Sequence, residues 1–277
     1  MNDTEYQAMV VSDFDGTTYH SASGFHPRDL ETLKILEQDS FVRVFATGRS
    51  MESLRRVIDR SFPIDYVVFS SGAGVYDFKK EELLRRRVLS AAVTEEVCRR
   101  LIELKLDFML HHPIPDNHYF HYYHHGGENP DFFHRMAVYR DFAMPFNWQQ
   151  VRQMEATQFV VVVPGDPDIH HRIEREFPQL SVIRSTSPLD GRSLWIELFP
   201  AGSHKAAGVE WLSRRLGIPV ERVMVIGNDF NDLHMLEWAR HAFVVDDAPE
   251  QLRRRFETVA PCSEAGFSEA VRKWCQG

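Results

Sequence analysis

Met9-Val10-Val11-Ser12-Asp13-Phe14-Asp15-Gly16-Thr17 is a short apolar run that ends in two carboxylates one residue apart and then a glycine. The apolar part reads as a buried strand. In an open parallel sheet, ligands bind at the carboxyl ends of strands near the topological switch point. Two carboxylates buried there without a cation are costly. A bound Mg²⁺, which takes hard oxygen ligands, removes that cost. Taken alone, the stretch is also an ordinary Asp- and Gly-rich turn. Its meaning depends on what surrounds it.

Strand and helix signals alternate on its C-terminal side. Pro27 to Glu37 carries helical spacing at Leu30, Leu33 and Leu36, with Pro27 suited to the first turn. Phe41 to Ala46 reads as a second strand. Ser50 caps a helix whose core face is Leu54, Val57 and Ile58. Tyr66 to Phe69 is a third strand. The last third repeats the style. Leu194 to Phe199, Val223 to Ile226 and Ala242 to Val245 read as strands. Lys205 to Leu216, closed by Gly217 and Pro219, reads as a helix, as do Asp232 to Arg240 and Pro249 to Phe256. Such alternation predicts an α/β fold, a Rossmann-like parallel sheet with right-handed crossovers.

The middle differs in texture. From about Arg85 to Pro188 come an amphipathic helix (Thr94 to Leu106), a segment rich in His and aromatics, a strand at Phe159 to Val163, a helix at Ile169 to Phe177 and a short strand near Val182. We read residues 85–187 as a smaller α/β cap domain inserted into a core formed by residues 1–84 and 188–277.

The 277 residues are long enough for two domains, and 43% hydrophobic with 26% charged residues is ordinary for a globular chain. The net charge of -8 argues against a nucleic-acid partner, because the basic runs Arg85 to Arg87 and Arg253 to Arg255 are short and lie among acids. No apolar stretch is long enough to span a membrane. Met1 to Gln7 is polar and leads straight to a strand, unlike a signal peptide. Three widely spaced cysteines, Cys98, Cys262 and Cys275, suit a reducing cytoplasm. An anionic ligand is therefore drawn by local groups or a metal, against the overall field.

Three more polar clusters stand at strand or helix ends. Thr47-Gly48-Arg49 follows the second strand, where a hydroxyl and free helix N–H groups suit a phosphate. Lys205 opens a helix and is a compact point charge suited to phosphate. Gly227-Asn228-Asp229-Phe230-Asn231-Asp232 follows another strand, with Asp232 also placed to cap the next helix. Each alone reads as a turn or a solvated side chain.

In combination and in this order the four clusters resemble the haloacid dehalogenase (HAD) superfamily of phosphohydrolases, over the whole chain. The wider match is to its Cof-like branch, whose α/β cap is inserted between the second and third motifs. Val11 to Thr17, Phe45 to Arg49, Gly202 to Lys205, Gly227 to Asp232 with Met235-Leu236, and Phe243 to Val245 before Asp247-Ala248-Pro249 carry the likeness. The resemblance implies that Asp13 attacks phosphorus to form an aspartyl-phosphate. Asp15 then protonates the leaving oxygen and activates water. Thr47, Gly48, Arg49, Lys205 and Asn231 bind the phosphoryl group. Mg²⁺ is held by Asp13, Asp15, Asn228 and Asp232. The sequence departs from the branch at Asn228, usually Asp, and at Ser71-Gly72-Ala73, often Asn-Gly-Ala.

The implied function is a Mg²⁺-dependent phosphatase for small phosphate monoesters, foremost sugar phosphates. A hexose-phosphate mutase or phosphotransferase and a non-catalytic binding module are the alternatives. The cap is expected to close over the site and read the leaving group. His111, His112, His118, His121, His124, His125 and His134 are mostly ordinary cap residues on this reading, with one or two reading a sugar. A zinc site is disfavoured because no carboxylate or Cys partner has ligand spacing nearby. Substrate identity and oligomeric state are open at this level.

Overall fold

The computed structural model describes residues 6–276 except Gly165, Pro167 and Pro188. The start of the polar N-terminal run, residues 1–5, and the end of the expected insertion at Pro188 thus lie outside the described residues. The chain divides into two compact units. One comprises Met1–Arg49, Leu54–Arg85 and His204–Gly277; the other comprises Ser50–Ser53 and Arg86–Ser203.

The first unit is built on an eight-stranded sheet. Its order is Glu257–Val259, His241–Val245, Val223–Gly227, Met9–Ser12, Val42–Ala46, Tyr66–Phe69, Gly74–Asp77 and Glu82–Arg86. Met9–Ser12 pairs in parallel with Val223–Ile226 on one side and Val42–Phe45 on the other. Its four residues are all buried, as expected of a central parallel strand covered on both faces. The residues after these three neighbouring strands therefore leave the same edge of the sheet. Tyr66–Phe69 pairs antiparallel with Gly74–Asp77. That return strand was not legible in the sequence, because Gly74 to Asp77 shows neither an apolar run nor clean alternation.

Some expected faces shift by a residue or two. In the helix Pro27–Gln38, Leu33 and Leu36 are buried, but Asp29 is buried in place of Leu30. Its carboxylate accepts both the N–H and the hydroxyl of Ser268, at 2.9 and 2.5 Å, which ties the first helix to the last, Gly266–Gln276. The helix after Ser50 covers only Met51–Arg55. Leu54 and Ile58 are buried, whereas Val57 is half-buried. Lys205–Leu216 forms as expected, closed by Gly217 at φ 69°. Within the strand Val42–Ala46, Arg43 is 1% exposed and is held by Asp65 at 2.8 and 2.9 Å and by Glu37 at 3.1 Å.

The second unit carries a six-stranded sheet in the order Ala143–Pro145, Phe120–Tyr123, Phe108–His111, Gln158–Val163, Leu194–Pro200 and Leu180–Thr186. The expected domain boundary at residues 187 and 188 is corrected here. Leu194–Pro200, read as a core strand, pairs antiparallel with both Gln158–Val163 and Leu180–Thr186, and the unit runs on to Ser203. Its apolar run fits either sheet, so sequence pattern could not choose. Side chains alternate across the sheet. Phe108 and Leu110 join one apolar cluster with Val97, Leu101, Ile169 and Ile173, while Met109 joins another with Phe120 and Phe132. The expected helix at Thr94 to Leu106 begins three residues earlier, at Ala91, because Ser90 caps it by accepting the Val93 N–H.

Cys98 and Cys262 are buried, Cys275 is exposed, and all three are free. No helix among the described residues is long and apolar enough to cross a membrane.

Candidate active site

Asp13 leaves the central strand with its N–H still bonded to the Ile226 carbonyl at 2.9 Å, so the sheet itself fixes its position. Hydroxyls pin it further. Thr17 donates to its Oδ2 at 3.1 Å, and Ser12 and Thr18 donate to its backbone carbonyl at 2.7 and 3.3 Å. The side chain is buried, and its Oδ1 accepts from Lys205 Nζ at 2.6 Å.

Lys205 is 1% exposed and opens its helix beneath the site. Its ammonium has three donors, and three oxygens face it: Asp13 Oδ1 at 2.6 Å, Asp232 Oδ1 at 2.7 Å and Asn231 Oδ1 at the longer distance of 3.4 Å. Burial alone lowers a lysine, but the carboxylates of Asp13 and Asp232 outweigh it and hold Lys205 above its ordinary value. Burial pushes the Asp13 carboxyl up; Lys205 pulls it back, and Asp232 and Asp15 push it up again. Two buried carboxylates thus share one ammonium.

Asp232 is fully buried. Its Oδ2 accepts the N–H groups of Asn228 and Asp229 at 2.9 and 3.2 Å. As expected, it stands at the N-cap position of the following helix, but its side chain makes no cap bond there. The side chain turns back to brace the Gly227 to Asp229 loop and to orient Lys205. The turn at Phe230–Asp232 is capped by Asp229, and the helix shortens to Leu233–Trp238. Asn228 is half-buried, and its amide lies against the Cα of Gly16.

Thr47 is buried at the end of the neighbouring strand, its N–H on Val68 O at 2.8 Å and its hydroxyl accepting the Arg49 N–H at 3.1 Å. Arg49 was expected against phosphate. Its guanidinium instead grips Asp15, with Nε to Oδ2 at 2.7 Å and Nη2 to Oδ1 at 2.6 Å. It lies over the rings of Phe14 and Tyr19, 5.0 and 5.5 Å from their centroids.

Sequence reasoning marked Ser71-Gly72-Ala73 as a departure from the family pattern but not the conformation of Ser70–Gly72. Ser70, Ser71 and Gly72 take φ of 47°, 50° and 91° in succession, and Ser70 and Ser71 are each 1% exposed. Two consecutive non-glycine residues in this region store backbone strain, which persists only where the surroundings enforce it. Here the Ser70 and Ser71 N–H groups bond the carbonyls of Arg49 and Thr47 at 2.9 and 3.0 Å. The only signal in the sequence was the dipeptide Ser71-Gly72. A Cβ on Gly72 would stand 2.2 Å from the carbonyl oxygen of His204, the residue before Lys205. Gly72→Ala should therefore cost about 1–3 kcal/mol in a denaturant melt and loosen the start of the Lys205 helix. An unchanged melt would show that the loop moves freely.

In the second unit, the His-rich segment runs along the strands Phe108–His111 and Phe120–Tyr123 and into the helix Pro130–Val138. His111 is buried with its Nδ1 on the Asn117 carbonyl at 2.8 Å, and burial pushes it down to about 3. His112 and His121 stack with centroids 5.2 Å apart. One expectation is corrected: a carboxylate does stand nearby. Strand pairing brings Asp107 beside His124 and His125, their ligand atoms within 4.8 Å. Asp107 is already occupied, by the N–H and Nδ1 of His125 at 2.8 and 2.7 Å and by Asn129 at 2.8 Å. The cluster is a hydrogen-bonded loop anchor.

A family model described as haloacid dehalogenase-like hydrolase matches residues 10–269. Among curated proteins, an HMP-PP phosphatase of Escherichia coli O6:H1 is 24% identical over 270 residues, spanning 96% of this chain and 95% of that protein. An HMP-PP phosphatase of Klebsiella pneumoniae is 23% identical over 274 residues, with the same shares. Among solved structures, a phosphatase of the haloalkanoate (HAD) enzyme superfamily from Bacteroides thetaiotaomicron superposes with a TM-score of 0.81 at 18% identity, over 99% of this chain and 97% of that one. A HAD subclass IIB sugar phosphatase gives a TM-score of 0.78 at 18% identity, over 97% and 99%. At these identities the structural likeness speaks for the fold.

Proposed function

The chain belongs to the haloacid dehalogenase-like hydrolase family, and we propose that within it the protein is a Mg²⁺-dependent phosphatase of small phosphate monoesters, foremost sugar phosphates. The observation that carries this reading is Asp13, a buried carboxylate at a central strand end, held by Lys205 at 2.6 Å. Asp13 attacks phosphorus as the bond to the leaving oxygen breaks, and Asp15 gives that oxygen its proton. In the second step Asp15 takes a proton from water, water attacks phosphorus, and the bond to Asp13 breaks to release phosphate. Thr47 and Lys205 hold phosphoryl oxygens. For Lys205, the long 3.4 Å contact to Asn231 is the one a phosphoryl oxygen replaces most readily. Charge spreads over those oxygens in the transition state, so fixed donors supply most of the effect.

The donor set fits a hard divalent cation. Asp13 and Asp232 share one ammonium, which leaves one negative charge buried, and the oxygens present are carboxylate, carbonyl and amide. Asp13, the Asp15 carbonyl and Asn228 would hold the ion, with Asp232 bracing their loop. When bound, the ion offsets the charge of the phosphoryl oxygens. Asn228 contributes no charge, so Asn228→Asp should tighten Mg²⁺ binding by roughly tenfold, a gain of about 1.4 kcal/mol. Calorimetric titration of Mg²⁺ without substrate measures it, and unchanged affinity would remove Asn228 from the site.

The test of the function is phosphate release from a panel of sugar and nucleotide monophosphates, with Mg²⁺ and with chelator. Metal-dependent release from sugar phosphates is expected. The relatives named HMP-PP phosphatase favour a second reading in which HMP-PP is the substrate, so that compound belongs in the panel. No release from any member would overturn both readings.

A further inference from the structure

We propose that Arg49 is a positioning residue for Asp15, and that its guanidinium sets the leaving-group proton donor rather than binding phosphate; this rests on the phosphatase reading above. Both nitrogens that face Asp15 bond it, one to each oxygen, at 2.7 and 2.6 Å. This parallel fork fixes the plane of the carboxyl group as well as its place, which a single contact does not. The fork itself is held. The guanidinium rests on Phe14 and Tyr19, whose rings stack 5.0 Å apart at 15°. Phe14 is fully buried, in edge contact with Phe45 and Phe25. The Arg49 backbone is tied at both ends, its N–H to Thr47 Oγ1 at 3.1 Å and its carbonyl to the Ser70 N–H at 2.9 Å. The strained Ser70–Gly72 loop thus acts on Asp15 through Arg49.

Asp15 needs this support because it has none of its neighbour's. Asp13 is buried among hydroxyls and a lysine, whereas the Asp15 side chain is 49% exposed and extends from a turn. A half-exposed carboxyl samples many rotamers unless a partner restricts it. The step concerned is leaving-group departure. The bond from Asp13 to phosphorus forms, the bond from phosphorus to the ester oxygen breaks, and the proton of the Asp15 carboxyl goes to that oxygen. An alkoxide needs that proton, while p-nitrophenolate leaves without it.

The experiment compares kcat/KM for p-nitrophenyl phosphate and for the sugar phosphate hydrolysed fastest in the panel, in wild type, Arg49→Ala and Arg49→Lys. Because kcat/KM stops at the first irreversible step, it isolates leaving-group departure from later hydrolysis. In Arg49→Ala the sugar phosphate should lose about 10²-fold, the scale of general acid catalysis, while the aryl ester loses less than about tenfold. Arg49→Lys keeps the charge but not the fork, and should show the same selective loss, reduced in size. It also serves if Arg49→Ala does not fold. Equal losses on both esters, with raised KM, would make Arg49 a phosphate ligand and overturn the proposal. Unchanged kinetics would overturn it too. A wild type inactive on both esters would overturn the phosphatase reading and this proposal with it.

Discussion

Asp13→Asn should lose phosphatase activity by on the order of 10⁴-fold or more, the scale seen when a nucleophile is removed, without any loss of folded stability. Asparagine keeps an oxygen for Lys205, and its amide N–H donates to the Thr17 hydroxyl oxygen in place of the bond Thr17 now gives, so the geometry around Asp13 survives. It cannot form the acyl phosphate. The stability half of the prediction follows from the raised carboxyl of Asp13, whose ordinary value is 3.8. A carboxyl that binds its proton more tightly folded than unfolded favours the fold most below 3.8. That favour is lost as pH rises through the folded value. At pH 8 the ionised Asp13 is thus a burden that asparagine removes. Thermal melts at pH 8 should place the variant at or above wild type. A Tm several degrees lower, or appreciable remaining activity, would contradict this account of the site.

Lys205→Met should be the most damaging single change to the first unit. It leaves the carboxylates of Asp13 and Asp232 buried together without their cation. Breaking a buried pair from one side costs about 3–5 kcal/mol, equivalent to a fall of roughly 10 °C in Tm for a chain of this size. The deficit should shrink on acidification. Lys205 is held above its ordinary value of 10.5, so its own contribution is complete at all pH values below that. The change with pH comes from Asp13, which without the ammonium takes up its proton still more readily. The Tm gap between variant and wild type should therefore be smaller at pH 5 than at pH 8. A gap independent of pH would mean that lost packing of the lysine stem, and not the stranded charge, sets the cost. Activity should fall with stability, and added Mg²⁺ should restore part of the melt but not the activity, since the ammonium that holds a phosphoryl oxygen is gone.

The gain from Asp13→Asn and the loss from Lys205→Met are two sides of one arrangement. The site holds one more negative charge than its lysine can neutralise, a cost in stability accepted where a cation and a phosphoryl group are to be handled.

The sequence by itself determined the alternation of strand and helix, the identity of the central strand Met9–Ser12, and the placing of Asp13, Thr47 and Asn228 after strands. These depend on local patterns, apolar runs and caps, that are complete within a few residues. The helix Lys205–Leu216 was legible to the residue because glycine at its end must take a positive φ. Only the tertiary structure decided the rest. Leu194–Pro200 could join either sheet until its partners were in place. Asp29 replaced Leu30 in the core because Ser268 was waiting for it from the far end of the chain. Arg49 turned to Asp15, and Asp232 to Lys205 and its own loop, because a charged side chain takes the nearest geometry that pairs all its hydrogen-bonding groups. Asp15 lies 34 residues from Arg49 and Lys205 lies 27 residues from Asp232, beyond the reach of any local pattern.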